Sequence, residues 1–173
     1  REVVGDHVQQ KGSLVSPERL RFDISHYEKV TSDQLLAVEE IVQQWVLRDV
    51  EVQIHDDIQI EDAKSRGAMA LFGEKYGDTV RVLTMGKDDF SVELCGGTHV
   101  GQLGDIGLFR ITSEGGIAAG VRRIEAMSGY DAYQFDKQTE DSLSEIAQMT
   151  KSNNAGAVEK VAQLIKQQKA LEK

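Results

Sequence analysis

The stretch LFRITSEGGIAAGVRRIEAM, Leu108–Met127, decides the fold. Strand-type residues fill Leu108–Ser113 and Gly120–Met127, and Glu114-Gly115-Gly116 supplies turn chemistry between them, so a hairpin turning at those glycines is predicted. The same grammar recurs upstream. Val8–Val15 and Leu20–Ile24 flank Ser16-Pro17-Glu18, and Val80–Met85 and Phe90–Leu94 flank Gly86-Lys87-Asp88-Asp89. Val50, Val52, Ile54, Ile58 and Ile60 follow a period of two, predicting a strand interrupted near His55-Asp56-Asp57. Hairpins dominate over βαβ units. The expected class is α+β, with a mixed, largely antiparallel sheet, packed helices and a helical tail.

Thr31-Ser-Asp-Gln34 has the form of a capping box, in which the threonine oxygen and the glutamine side chain each satisfy the other's backbone N–H. Leu35, Val38, Val42, Trp45 and Val46 then recur at helical spacing through about Arg48, with Trp45 read as a core residue. Glu61–Arg66 is predicted to form a short helix stopped by Gly67. Residues 1–7 read as the last turn of a helix stopped near Gly5, which makes the segment look N-terminally truncated. From about Tyr130 strand signals cease. One apolar stripe at Leu143, Ile146 and Ala147, a polar break over Lys151–Gly156 and a second stripe through Ala157, Val161, Leu164, Ile165 and Leu171 predict two tail helices. The expected organisation is therefore a core over residues 1–129 and a helical linker over 130–173 leading toward a further domain.

Charged residues make up 28% and hydrophobic residues 40% of the 173, the proportions of a soluble, core-forming chain. No apolar run is long enough for a membrane span, and no membrane partner is expected. Cys95 is the sole cysteine, which excludes an internal disulfide and points to the cytoplasm. A net charge of −9 argues against a self-sufficient nucleic-acid binder, while leaving room for RNA delivered by neighbouring modules. Positive residues group at Lys11, Arg19 and Arg21, at Lys64 and Arg66, and at Arg122-Arg123.

Chemistry concentrates in Glu93-Leu94-Cys95-Gly96-Gly97-Thr98-His99-Val100. Thiolate and imidazole are donors zinc prefers, and the two glycines let a tight loop aim both at one point. Spacing alone supplies two of the three or four protein donors that zinc takes, and a small core cysteine beside a hydrogen-bonded histidine accounts for the same residues. His7, His26 and His55 form no second pair at motif spacing.

CGGTH (Cys95–His99), GDIGLFRI (Gly104–Ile111) and AAGVRRIEA (Ala118–Ala126) together resemble the signature of alanyl-tRNA synthetase editing domains, in the threonyl/alanyl-tRNA synthetase second additional domain family. QKGSLV (Gln10–Val15), LRFDISH (Leu20–His26) and GAMALFGEKYGD (Gly67–Asp78) add to the likeness, which covers roughly residues 1–130. The resemblance implies hydrolysis of mischarged Ser-tRNA(Ala) and Gly-tRNA(Ala). It also implies a zinc held by two histidines of an HxxxH helix together with Cys95 and His99. That helix lies upstream of the RExxG stretch in the family, so the site is expected to be incomplete here and this fragment inactive. Gln10 is implied beside the editing pocket, where its amide reads the serine hydroxyl or the terminal ribose; an exposed strand glutamine is the alternative. His26 either lines the same pocket or makes a structural hydrogen bond. Arg122 and Arg123 point to opposite faces of a strand, so at most one of them meets RNA. The implied partners are the aminoacylated end of tRNA(Ala) and other domains of the same synthetase. ATP and magnesium belong to its ligase part, outside this chain. A stand-alone trans-editing deacylase and a non-catalytic tRNA-binding module are the alternative functions.

Overall fold

The computed structural model describes residues 1–68, 76–86 and 90–172. The chain divides into two compact units, Arg1–Ala132 and Tyr133–Lys173. The first contains seven strands in two antiparallel sheets. One has the order β1 (Gln10–Val15), β2 (Leu20–Ser25), β7 (Val121–Ser128), β6 (Phe109–Ala118), and the other has the order β3 (Val52–Gln59), β4 (Thr79–Met85), β5 (Ser91–Leu94). The α+β class and the helical tail hold. The antiparallel strands fall into two sheets, because β2 pairs with β7 about a hundred residues away and leaves β3 to β5 to pair among themselves.

The predicted elements form for the expected local reasons. Ser16 closes the first hairpin, its amide donating to the Arg19 carbonyl at 2.9 Å. Helix α1 (Ser32–Arg48) opens on the capping box: the Gln34 amide donates to Thr31 Oγ1 at 3.2 Å and the Thr31 amide to Gln34 Oε1 at 2.9 Å. In β3 the register against β4 slips between His55 and Ile58, where Asp57 takes φ +57. Helix α2 (Ile60–Ser65) ends before Gly67. Residues 1–7 form two successive turns rather than an assigned helix, with the Gly5 amide on the Arg1 carbonyl at 2.7 Å and the Val8 amide on the Gly5 carbonyl at 3.1 Å. Residues 69–75 of the GAMALFGEKYGD stretch and the Lys87–Asp89 part of the β4–β5 connection lie outside the described residues.

The β6–β7 hairpin turns later than expected. Ala118 still pairs with Val121, so Ala119-Gly120 makes the turn, and Gly120 takes φ +69 where an L side chain would be strained. Gly115 and Gly116 instead continue β6 opposite Arg123 and Arg122. Their smallness has another use: a Cβ on Gly116 would stand 3.1 Å from Arg122 Nη1. The glycine leaves space for that guanidinium to cross to Glu114.

Helix α1 joins the two sheets within this unit. Leu35, near its start, packs with Val8, Ile24, Val30 and Ile124; Trp45, near its end, packs with Val52, Leu83 and Leu103. Trp45 is partly buried and stacks on Phe90 with ring centroids 3.7 Å apart, so its core assignment stands. The helix also covers the open edge of β6. Glu39 accepts the Ile111 amide at 2.7 Å and Gln43 the Phe109 amide at 2.9 Å, and Gln43 donates to the Gly107 carbonyl at 3.3 Å. Two side chains one helical turn apart thus replace a missing strand and blunt an edge that would otherwise template aggregation.

Glu114 is the most enclosed acid among the described ion pairs, its side chain 3% exposed against 17% for Arg122. Arg122 binds it through Nε at 2.6 Å and Nη2 at 2.8 Å. That hydrogen bonding holds the Glu114 carboxyl below its ordinary range, against the opposing effect of burial. A depressed folded-state value adds stability above the unfolded glutamate range, and this is lost as pH falls through the folded value. Glu114→Gln is therefore expected to lower the melting temperature by a few degrees near neutral pH. The gap from the parent chain should close in acid. A pH-independent gap in parallel thermal melts would contradict the assignment.

In the second unit, helix α3, which runs over Gly129–Met149 and so begins in the first unit, leads to a break and then to helix α4 (Ala157–Leu171). The break caps itself: the Gly156 amide donates to Asn153 Oδ1 at 2.8 Å, as the polar run over Lys151–Gly156 anticipates. No helix among the described residues is long and apolar enough to cross a membrane.

Candidate functional site

The Cys95–His99 loop leaves the end of β5 and is fixed at both flanks. Upstream, the Cys95 amide donates to the Arg81 carbonyl on β4 at 3.3 Å. Downstream, the Val52 amide reaches the Gly101 carbonyl at 2.9 Å and the Leu103 amide the Val50 carbonyl at 3.0 Å. Cys95 packs partly against the cluster of Val52, Leu83 and Leu103, which leaves its thiol half-buried.

The two candidate donors face one small space. A Cβ built on Gly97 would lie 3.5 Å from Cys95 Sγ and 3.7 Å from His99 Nε2, in contact with both. His99 Nε2 is buried and has no hydrogen-bond partner, an arrangement that costs free energy unless something outside the described residues completes it. Burial first, and the nearby Arg81 charge second, push the His99 imidazole below its usual range, so it stays neutral with a lone pair available. No hydrogen bond joins Sγ to Nε2, so the pair lacks the thiol–imidazole contact of a nucleophile and its base. Thiolate and neutral imidazole suit zinc. These residues fit two positions of its donor set, and among the described residues no group of three or more histidine, cysteine or carboxylate side chains exists to hold a metal.

The other three histidines are engaged. His7 Nε2 and His26 Nδ1 are 2.8 Å apart with their rings stacked, and His55 Nε2 lies 3.4 Å from Thr84 Oγ1. Sequence spacing concealed the His7–His26 pair, because the β1–β2 hairpin brings together residues nineteen positions apart. Gln10 is half-buried at the start of β1, where the register slips between Gln10 and Gly12, and its Nε2 makes a long 3.4 Å bond to Ser13 Oγ. Gln10 opens β1 and His26 directly follows β2 of the four-stranded sheet, whereas Cys95 and His99 follow β5 of the three-stranded one. No hydrogen bond links the two sets among the described residues.

Neither Arg122 nor Arg123 is free for a phosphate. Each is tied through two nitrogens to a carboxylate, Arg122 to Glu114 and Arg123 to Asp23 at 2.7 and 2.8 Å, and Arg123 holds the Asp23 carboxyl below its ordinary range. The strand pleat that separates the two side chains gives each its own partner. Near the loop, burial raises the Glu93 carboxyl, opposed by a Ser91 hydrogen bond and by the charge of Arg1.

Residues 80–125 match the family described as the threonyl and alanyl tRNA synthetase second additional domain. Over 172 residues, 99% of its length, the chain is 67% identical to the alanine–tRNA ligase of Ruthia magnifica subsp. Calyptogena magnifica. Over nearly its whole length the chain is similar to part of an alanine–tRNA ligase. It is also 56% identical over all 173 residues to the alanine–tRNA ligase of Hydrogenovibrio crunogenus and 54% identical to that of Pseudomonas entomophila. In each case it spans 20% of the relative, so it corresponds to about a fifth of an alanyl-tRNA synthetase. The family match runs from β4 through the Cys95–His99 loop and into β7, the part of the chain that carries the candidate donors.

Proposed function

We propose that this segment is the editing part of an alanine–tRNA ligase, hydrolysing Ser-tRNA(Ala) and Gly-tRNA(Ala) in a zinc-dependent reaction. The observation that carries the reading is the buried, unpartnered His99 Nε2 beside Cys95 Sγ, within the region that matches the family. A pocket shaped for alanine cannot exclude glycine by size and only weakly rejects an added hydroxyl, so a second, hydrolytic site has errors to correct.

Cys95 and His99 would supply two of the metal's donors, and two histidines from outside this chain would complete the set. The likeness to the family supports an upstream origin for them. Zinc, when bound, supplies Lewis-acid polarisation of an ester carbonyl or acidification of a water. Gln10 contacts the substrate: among the described residues its amide makes one long bond, to Ser13, and so can read the serine hydroxyl or the terminal ribose. His26 borders the same pocket, and its bond to His7 fixes its ring. ATP and magnesium serve the ligase part of the parent enzyme, which works in the cytoplasm. Its other domains deliver the aminoacylated end of tRNA(Ala), because a segment of charge −9 whose paired arginines are both occupied has little to offer a phosphate backbone.

The test compares the full-length ligase with this chain alone. The ligase should clear seryl-tRNA(Ala). The chain alone should not, and fluorescence titration at physiological salt should place its tRNA affinity in the micromolar range or weaker, as for roughly 10⁻⁴–10⁻⁶ M non-specific binding. Full-length enzyme that leaves seryl-tRNA(Ala) intact would remove the editing reading in favour of a non-catalytic module. Full activity of the isolated chain would show a self-contained deacylase instead.

A further inference from the structure

Gly96 and Gly97 form an exposed dipeptide with no side chains to fix its shape, yet the two donor atoms that flank it face one space. Arg81 touches this loop three times. Its backbone carbonyl takes the Cys95 amide at 3.3 Å, and its Nη1 donates to the Gly97 carbonyl at 3.0 Å and the Gly96 carbonyl at 3.3 Å. Arg81 is itself held from the other side, with Nε 3.4 Å from Asp56 Oδ1 as an ion pair rather than an aligned hydrogen bond. Asp56 occupies the interruption of β3, where the register slips between His55 and Ile58 and Asp57 takes φ +57.

We propose that Arg81 is a positioning residue that clamps the Gly96-Gly97 carbonyls so that Cys95 Sγ and His99 Nε2 stay aimed at one point, with Asp56 at the β3 interruption anchoring the clamp. This assigns a purpose to the register slip within β3, which a regular strand would not serve. It also explains how a cationic side chain is tolerated beside a site for a cation: Asp56 and two carbonyl dipoles offset the guanidinium charge. The proposal rests on reading the pair as metal donors, but the clamp can be measured without metal.

The test uses this chain, Arg81→Met, which keeps an apolar stem and removes the donors, and Asp56→Asn. The Arg81 and Asp56 side chains are 31% and 71% exposed, so both variants are expected to fold with nearly unchanged melting temperature. Amide order parameters at Gly96 and Gly97 should fall from about 0.85 to below about 0.6 in Arg81→Met, with a smaller fall in Asp56→Asn. Affinity for cadmium, a thiophilic probe followed by its thiolate charge-transfer absorption, should weaken by about 10- to 100-fold in Arg81→Met, as for other groups that orient metal ligands. Order parameters that do not change overturn the proposal. So does a loosened loop that binds cadmium as tightly as before, because loop rigidity would then have no bearing on the donors. If the parent chain binds no cadmium while Arg81→Met still loosens the loop, the clamp stands and the metal reading fails.

Discussion

Cys95→Ala in the full-length ligase is expected to abolish hydrolysis of seryl-tRNA(Ala) while leaving alanine activation nearly intact. The physical basis is the separation of the two chemistries. Cys95 supplies one of the two metal-type donors that face one space at this loop, and the loop is fixed to β4 and to the start of β3. Removing one of four donors from a tetrahedral site leaves an open, weakly held metal. The thiol also packs against Val52, Leu83 and Leu103, so a packing effect has to be separated from a donor effect. Cys95→Ser, which nearly conserves volume and exchanges the donor atom, provides the separation. If packing alone mattered, the serine variant would retain hydrolysis and lose little stability. If Cys95 is a ligand, the serine variant should lose hydrolysis as the alanine variant does. Deacylation unchanged in both would make Cys95 a core residue.

The second large effect is a gain. Adding roughly 20–30 native upstream residues, enough for a helix of typical length, is expected to raise zinc content, melting temperature and seryl-tRNA(Ala) hydrolysis together. A helix carrying two histidines four apart presents both on one face. Zinc would then join segments about ninety residues apart in sequence and bind the native state in preference to the unfolded chain, which couples metal binding to stability. A chelator should reverse all three gains. Extension that brings neither zinc nor hydrolysis would mean that Cys95 and His99 are not half of a site.

Local chemistry was legible in the residues and long-range pairing was not. The Thr31–Gln34 capping box, the Ser16–Glu18 connection, the stop at Gly67 and the break in β3 near His55–Asp57 each depend on a few adjacent side chains, and each forms as the pattern implies. The β6–β7 turn misled because Gly115-Gly116 looks like turn chemistry, whereas the spare volume there accommodates Arg122 from the neighbouring strand. The division into two sheets follows from β2 pairing with β7, and no local pattern encodes that. Edge capping of β6 by Glu39 and Gln43 was equally hidden, since both read as ordinary polar positions of an amphipathic helix. At the candidate site, the motif revealed Cys95 and His99. The contacts of Arg81 with the loop and with Asp56 became visible only once β3, β4 and the loop lay side by side.

Zinc K-edge absorption on the full-length ligase tests the central claim most directly, because it reports the atoms around the metal rather than a rate. The expected result is a four-coordinate zinc with one sulfur scatterer at about 2.3 Å and nitrogen scatterers at about 2.0–2.1 Å, the sulfur disappearing in Cys95→Ala. A zinc shell with no sulfur in the parent enzyme, or one that keeps its sulfur in Cys95→Ala, would contradict the account.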